Sequence, residues 1–148
     1  METHKKLPLE YVIREPQVRT KRSPVIFMLH GYGSNEEDLF SFANALPPEY
    51  TIISFRAPYH LASFGYAWYM INFDADQNNW SDTQQAIESR DLIMQAIEEA
   101  CRVYDLDARN VTLLGFSQGS ILSMAVALSY PKKIRNVIAL SGYLNKDI

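Results

Sequence analysis

The stretch VTLLGFSQGS, residues 111–120, decides the fold. Its first four residues, apolar but for Thr112, predict a buried strand. Gly115-Phe116-Ser117-Gln118-Gly119 then gives a G-x-S-x-G pattern, and residues 118–130 continue as a helical segment stopped by Pro131. A strand-to-helix turn this sharp strains the serine backbone, so Gly115 and Gly119 are the residues that flank it without bulk. The turn lifts the Ser117 hydroxyl above the sheet edge. The first N–H groups of the new helix carry partial positive charge and face whatever sits there. In this context the pattern reads as a nucleophile elbow, with Ser117 the candidate nucleophile and the Gln118 N–H a natural donor to an oxyanion.

Outward from this turn the chain alternates strands and amphipathic segments, which predicts an α/β fold with a mainly parallel sheet and helices on both faces. Strands are expected at residues 9–14, 25–29 (VIFML), 51–55 and 136–140, and a polar turn at residues 17–24. A helix is predicted over residues 35–46, opened by a Ser34/Glu37 capping box and stopped by Pro47-Pro48. The longest helix is expected over residues 82–104, behind a Ser81/Gln84 box, with Ala86, Ile93, Ile97, Ala100 and Tyr104 as its buried stripe. Glu88-Ser89-Arg90-Asp91 and Glu98-Glu99 read as its solvated face, and Cys101 as an inert thiol near the stripe. Ser120, Ser123, Ala125, Ala127 and Ser129 let the helix after Ser117 lie close to a sheet. Residues 56–79 read as a long aromatic-rich loop, of the kind that is often functional.

Leu29-His30-Gly31-Tyr32-Gly33 follows another buried strand. The loop in this place supplies the second oxyanion donor in an α/β-hydrolase, and Tyr32 is the candidate. His30 is expected to pack and hydrogen-bond so that it holds the turn with Gly31. A dinucleotide fingerprint is excluded: Glu36 stands where the third glycine belongs, and Glu36, Glu37 and Asp38 would repel a pyrophosphate. A P-loop is excluded because its lysine is missing. His4, His30 and His60 have no ligand spacing, so no metal is expected.

With 148 residues and 17.0 kDa the chain suits one domain. Its net charge of −3 and pI of about 5.6 argue against duplex DNA as a partner, which is bound mainly by Lys and Arg on phosphates. One cysteine precludes an intrachain disulfide. With no signal-like apolar stretch in residues 1–10, this leads us to expect a cytoplasmic protein. No apolar run approaches the length of a membrane span.

Two motifs together, LHGYGSNEEDL (residues 29–39) and GFSQGS (residues 115–120), resemble the phospholipase/carboxylesterase family, the bacterial esterases related to acyl-protein thioesterases. FRAPY (55–59), GYAWYMI (65–71) and ALSGYL (139–144) are similar to further family signatures in the same order. The resemblance implies cleavage of small carboxylic esters or thioesters bearing an acyl chain, through an acyl-enzyme and without a cofactor. It matches Ser117 to the nucleophile, Tyr32 and Gln118 to the oxyanion donors, and Trp68 and Tyr69 to an aromatic segment near the acyl site.

The family order Ser, Asp, His places the acid and the base after the strand at residues 136–140, beyond residue 148. We therefore expect residues 1–148 to be an incomplete hydrolase domain that lacks its last strands and helix. Either it is a fragment, or a partner chain or a second copy completes it at the bare sheet edge. Within residues 1–148, His60, which Asp74 or Asp76 could orient, is the candidate for a replacement base; otherwise it is an ordinary loop histidine. The alternative is a catalytically incomplete module that only binds acyl chains or lipids.

Overall fold

The computed structural model describes residues 2–73 and 79–148. Five strands form the main sheet: β1 (Tyr11–Arg14), β2 (Val25–Leu29), β3 (Thr51–Phe55), β8 (Val111–Phe116) and β9 (Asn136–Leu140). Their spatial order is β1-β3-β2-β8-β9. All neighbouring pairs are parallel except β1 with β3, which is antiparallel. The fold is thus α/β with a mostly parallel sheet. Two helices, α1 (Thr83–Val103) and α2 (Gln118–Ser129), complete the crossovers.

The pleat sorts β2 into two faces. Val25, Phe27 and Leu29 join Ile53, Phe55 and Leu113 in the larger core, against Ile93 and Ile97 of α1 and Leu122 and Val126 of α2. Ile26 and Met28 point the other way, with Val12 and Ile52, and meet Leu39, Phe40 and Ala43. The β9 edge is open, and Ile138 and Leu140 are exposed.

The helix expected over residues 35–46 is instead a short 3-10 segment, Leu39–Ala45. No capping box forms, because the Ser34 hydroxyl donates to Asp38 Oδ2 at 2.7 Å. At the other end, Leu46 is extended (ψ 156°), as the following proline demands. The exit is tied by a residue the pattern did not single out. The Arg14 guanidinium donates to the carbonyls of Ala43, Leu46, Pro47 and Tyr50.

Residues 56–79 are not a plain loop either. They hold two small hairpins, β4 (Tyr59–His60) with β5 (Tyr66–Ala67) and β6 (Ile71–Phe73) with β7 (Asn79–Ser81). Strands this short carry no readable alternation. Since Ser81 pairs with Ile71 in β7, the α1 cap moves one residue on, and Asp82 Oδ1 accepts from the Gln85 N–H at 3.0 Å. Ser89 leaves the expected solvated face: it is buried and its hydroxyl donates to the Trp68 carbonyl. Burial pushes the Cys101 thiol up to about 11, so little thiolate forms at neutral pH.

The packing predicts a contrast measurable by urea unfolding. Leu113→Ala should cost about 2–5 kcal/mol, because its site is closed on both sides. Leu128→Ala, at a position 65% exposed, should stay within about 0.5 kcal/mol of the parent.

Candidate active site

Ser117 stands between β8 and α2 with φ 54° and ψ −115°, a strained conformation for a residue with a side chain. Its N–H donates to the Leu140 carbonyl at 2.8 Å, tying the turn to the end of β9. Its own carbonyl accepts from the Ser120 and Ile121 N–H groups at 2.9 and 3.1 Å. The neighbours explain the glycines. A Cβ on Gly119 would lie 1.9 Å from the Leu29 carbonyl oxygen, and one on Gly115 2.4 Å from the Gly119 carbonyl oxygen. Both distances are far inside van der Waals contact, so α2 can start this close to β2 only with glycine there.

The loop after β2 arrives alongside. A Cβ on Gly31 would stand 3.5 Å from the Ser117 Cβ. Gly31, Tyr32, Gly33, Ser34, Phe116 and Ser117 line an open depression of about 690 Å³, together with Asn35, Glu37, Asp38 and Ser41. The structure therefore brings Ser117, Gly31 and Tyr32 into one recess. Gln118 is buried, and its side chain bridges two peptides: Oε1 accepts from the Trp68 N–H and Nε2 donates to the Tyr69 carbonyl, each at 2.8 Å.

His30 is fully buried. Its Nε2 accepts from the Ala57 N–H at 3.0 Å, which requires the neutral tautomer with the proton on Nδ1, donated to the Gly31 carbonyl at 2.8 Å. Desolvation lowers its pKa below the ordinary value. The Trp68 indole N–H donates to the His30 carbonyl at 2.8 Å, and the two rings lie 5.4 Å apart.

Trp68 and Tyr69 are 0% and 1% exposed, so both rings are core residues, and neither lines the depression beside Ser117. The exposed apolar side chains near Tyr32 are Phe64 and Met70. Leu61, Phe64 and Met70 border a second hollow of about 350 Å³ that shares Tyr32 and Gly33. Their sequence signal was only the aromatic density of residues 56–79. His60 is exposed in β4, against Tyr66 at 5.1 Å, and outside the lining of the Ser117 depression. Asp74 and Asp76, named as its partners, lie outside the described residues. Among the described residues no cluster of three His, Cys, Asp or Glu could hold a metal, and no helix is long and apolar enough to cross a membrane.

A mostly parallel sheet with α1 and α2 packed on it and a strained serine between strand and helix has the architecture of an α/β-hydrolase. The chain belongs to the phospholipase/carboxylesterase family, whose model matches residues 11–148. Its fold is like that of a carboxylesterase from Mesorhizobium loti, at 20% identity and TM-score 0.73, over 94% of this chain and 66% of that one. A Bacillus cereus carboxylesterase matches at 20% identity and TM-score 0.73, over 87% and 57% of the respective chains. Zea mays acyl-protein thioesterase 2 matches at 20% identity and TM-score 0.63, over 90% and 62%. The chain thus spans just under two thirds of the length of the first of these structures, and less of the other two.

Two outcomes follow from this geometry. Gly119→Ala must displace either α2 or β2, and should lower stability by about 2 kcal/mol or more in urea titration, through a steric clash with the Leu29 carbonyl rather than the backbone strain that Gly33→Ala would meet at φ 80°. Stability should also fall as pH drops below about 6.5. The depressed pKa of folded His30 makes the unfolded chain bind the proton more readily, and protonated Nε2 cannot accept from Ala57. A urea midpoint followed from pH 8 to 5 should show that slope, and His30→Asn, though weaker overall, should flatten it.

Proposed function

We propose that these residues carry the nucleophile half of a serine hydrolase that cleaves carboxylic esters or thioesters. The observation that carries this reading is the strained Ser117 between β8 and α2, sharing one open recess with Gly31 and Tyr32. The Ser117 hydroxyl attacks the substrate carbonyl. The N–H groups of Tyr32 and Gln118 hold the oxygen as it gains charge, and this kind of preorganised donor contributes several kcal/mol per bond. A histidine takes the serine proton and returns it to the departing alkoxide or thiolate. Water then attacks the acyl-serine, loses its proton to the same histidine, and the acid leaves with Ser117 regenerated.

That histidine and its aspartate are supplied from beyond residue 148. His30 is unsuited to the role, since its Nε2 is engaged by Ala57 and it is stabilised neutral. The base matters: in a serine protease its removal costs roughly 10⁶-fold in kcat, while the oxyanion donors and binding alone retain about 10³–10⁴ over water. The acyl chain lies toward Phe64 and Met70, beside Tyr32, where apolar surface is open. Trp68 and Tyr69 act from behind, as the buried support on which His30 and Gln118 are fixed. The second reading, a module that binds acyl chains without cleaving them, uses the same hollow and needs no activated serine.

Exposure to a fluorophosphonate followed by intact-mass measurement separates the two. One adduct on the 17.0 kDa chain, absent from Ser117→Ala, is expected if the serine is activated. An unmodified 17.0 kDa chain is what a nucleophile half without its base gives; the hydrolase reading is sunk if the longer chain that carries the histidine and aspartate also stays unmodified at Ser117 while still binding a fatty acid.

A further inference from the structure

The loop after β2 is held from three sides, and two of the holds come from the dipeptide that follows β3. Ala57 donates its N–H to His30 at the start of the loop. Arg56 holds the far end. Glu36, 2% exposed, accepts from Arg56 Nε at 2.9 Å on one carboxylate oxygen and from Arg56 Nη2 at 2.6 Å on the other. The Thr3 hydroxyl adds a third bond at 2.6 Å. Arg56 Nη1 also reaches Glu10. The guanidinium lies over the Tyr66 ring, 4.6 Å from its centroid. Tyr66 is itself bonded to the middle of the loop, its carbonyl accepting from the Gly33 N–H at 2.9 Å and its N–H donating to the Ser34 carbonyl at 2.8 Å. Tyr32 sits between these holds.

We propose that Arg56 and Glu36 are positioning residues, whose fork-to-carboxylate pair fixes where the Tyr32 N–H stands relative to Ser117. The proposal rests on the reading above that Tyr32 donates to the oxyanion. A nearly buried carboxylate is costly to desolvate, and such pairs add little net stability over an apolar pair of the same volume. What the pair adds is direction. Two parallel N–H···O bonds hold a carboxylate in plane and in register, which neither an apolar contact nor a lysine can do. That order of placement is what an oxyanion donor needs, since a misplacement of about 1 Å can cost roughly 10²-fold in rate. Desolvation would raise the Glu36 carboxyl, yet the bonds from Arg56 and Thr3 outweigh it and hold it at about 2, so the pair stays charged through the neutral range.

The test uses the chain as it stands, with Glu36→Gln, which keeps the shape, and Arg56→Lys, which keeps the charge and loses the fork. Two quantities are read in each: the rate of fluorophosphonate capture at Ser117, and the ¹⁵N order parameter of the Tyr32 amide beside those of β2 and β8. In the parent, Tyr32 should be as ordered as β2, near about 0.85, and should fall toward about 0.6 in both variants while β2 and β8 are unchanged. Capture should slow about tenfold or more in both. The proposal is overturned if Tyr32 is already loose in the parent, if both variants keep its order and the capture rate within about twofold, or if order is lost equally through β2 and β8. A parent that captures no probe is what a chain without its histidine gives, and the order parameters then decide the positioning role alone.

Discussion

The contact between Gly119 and the end of β2 is the constraint on which the site depends. The carbonyls of Leu29 and His30 occupy the space a Cβ would need at Gly119. That closeness seats the first turn of α2 against β2, and it brings Gly31 beside Ser117. A larger residue at Gly119 would part helix and strand and open the recess. The left-handed backbone at Ser117 follows from the same geometry, because the chain must reverse from strand to helix within one residue. Such strain persists only where the surroundings over-determine it. Here those surroundings are the Leu140 carbonyl on the Ser117 N–H and the two N–H groups of Ser120 and Ile121 on its carbonyl.

Around this contact lies a buried polar frame. His30 links the loop after β2 to Ala57, Trp68 links its indole to His30, and Gln118 links α2 to the peptides of Trp68 and Tyr69. Each bond satisfies a group that would otherwise be buried unpaired, at a cost of about 1–3 kcal/mol. The bonds join segments far apart in sequence, so they form only when the sheet has assembled. The aromatic segment is therefore part of the support for the site rather than of its surface. The apolar surface next to Tyr32 falls to Phe64 and Met70.

The Arg56 and Glu36 pair extends that frame to the outer end of the loop, where Ser34, Glu37 and Asp38 face the open depression. It also explains why the segment 35–46 fails as a helix. Glu36 turns inward to Arg56, and Ser34 bonds to Asp38 instead of capping, so neither is available to start one. The acidic residues that exclude a pyrophosphate in the sequence thus include one with a structural partner.

Much was legible in the chain alone. The strands at 25–29, 51–55 and 136–140 match in their bounds, the first two buried and the last on the open edge, since each is a short β-branched or apolar stretch set between turns. The serine turn was legible because Gly115 and Gly119 are required by local sterics. The tertiary structure decided what depends on distant partners: the hairpins within 56–79, the burial of Trp68, Tyr69 and Ser89, and the role of Arg14 and Arg56. A two-residue strand has no periodicity, and the place of a half-buried arginine or a buried aromatic ring is chosen by a partner tens of residues away. Sequence order fixes what each residue can do, and only packing selects which of its possible partners it meets.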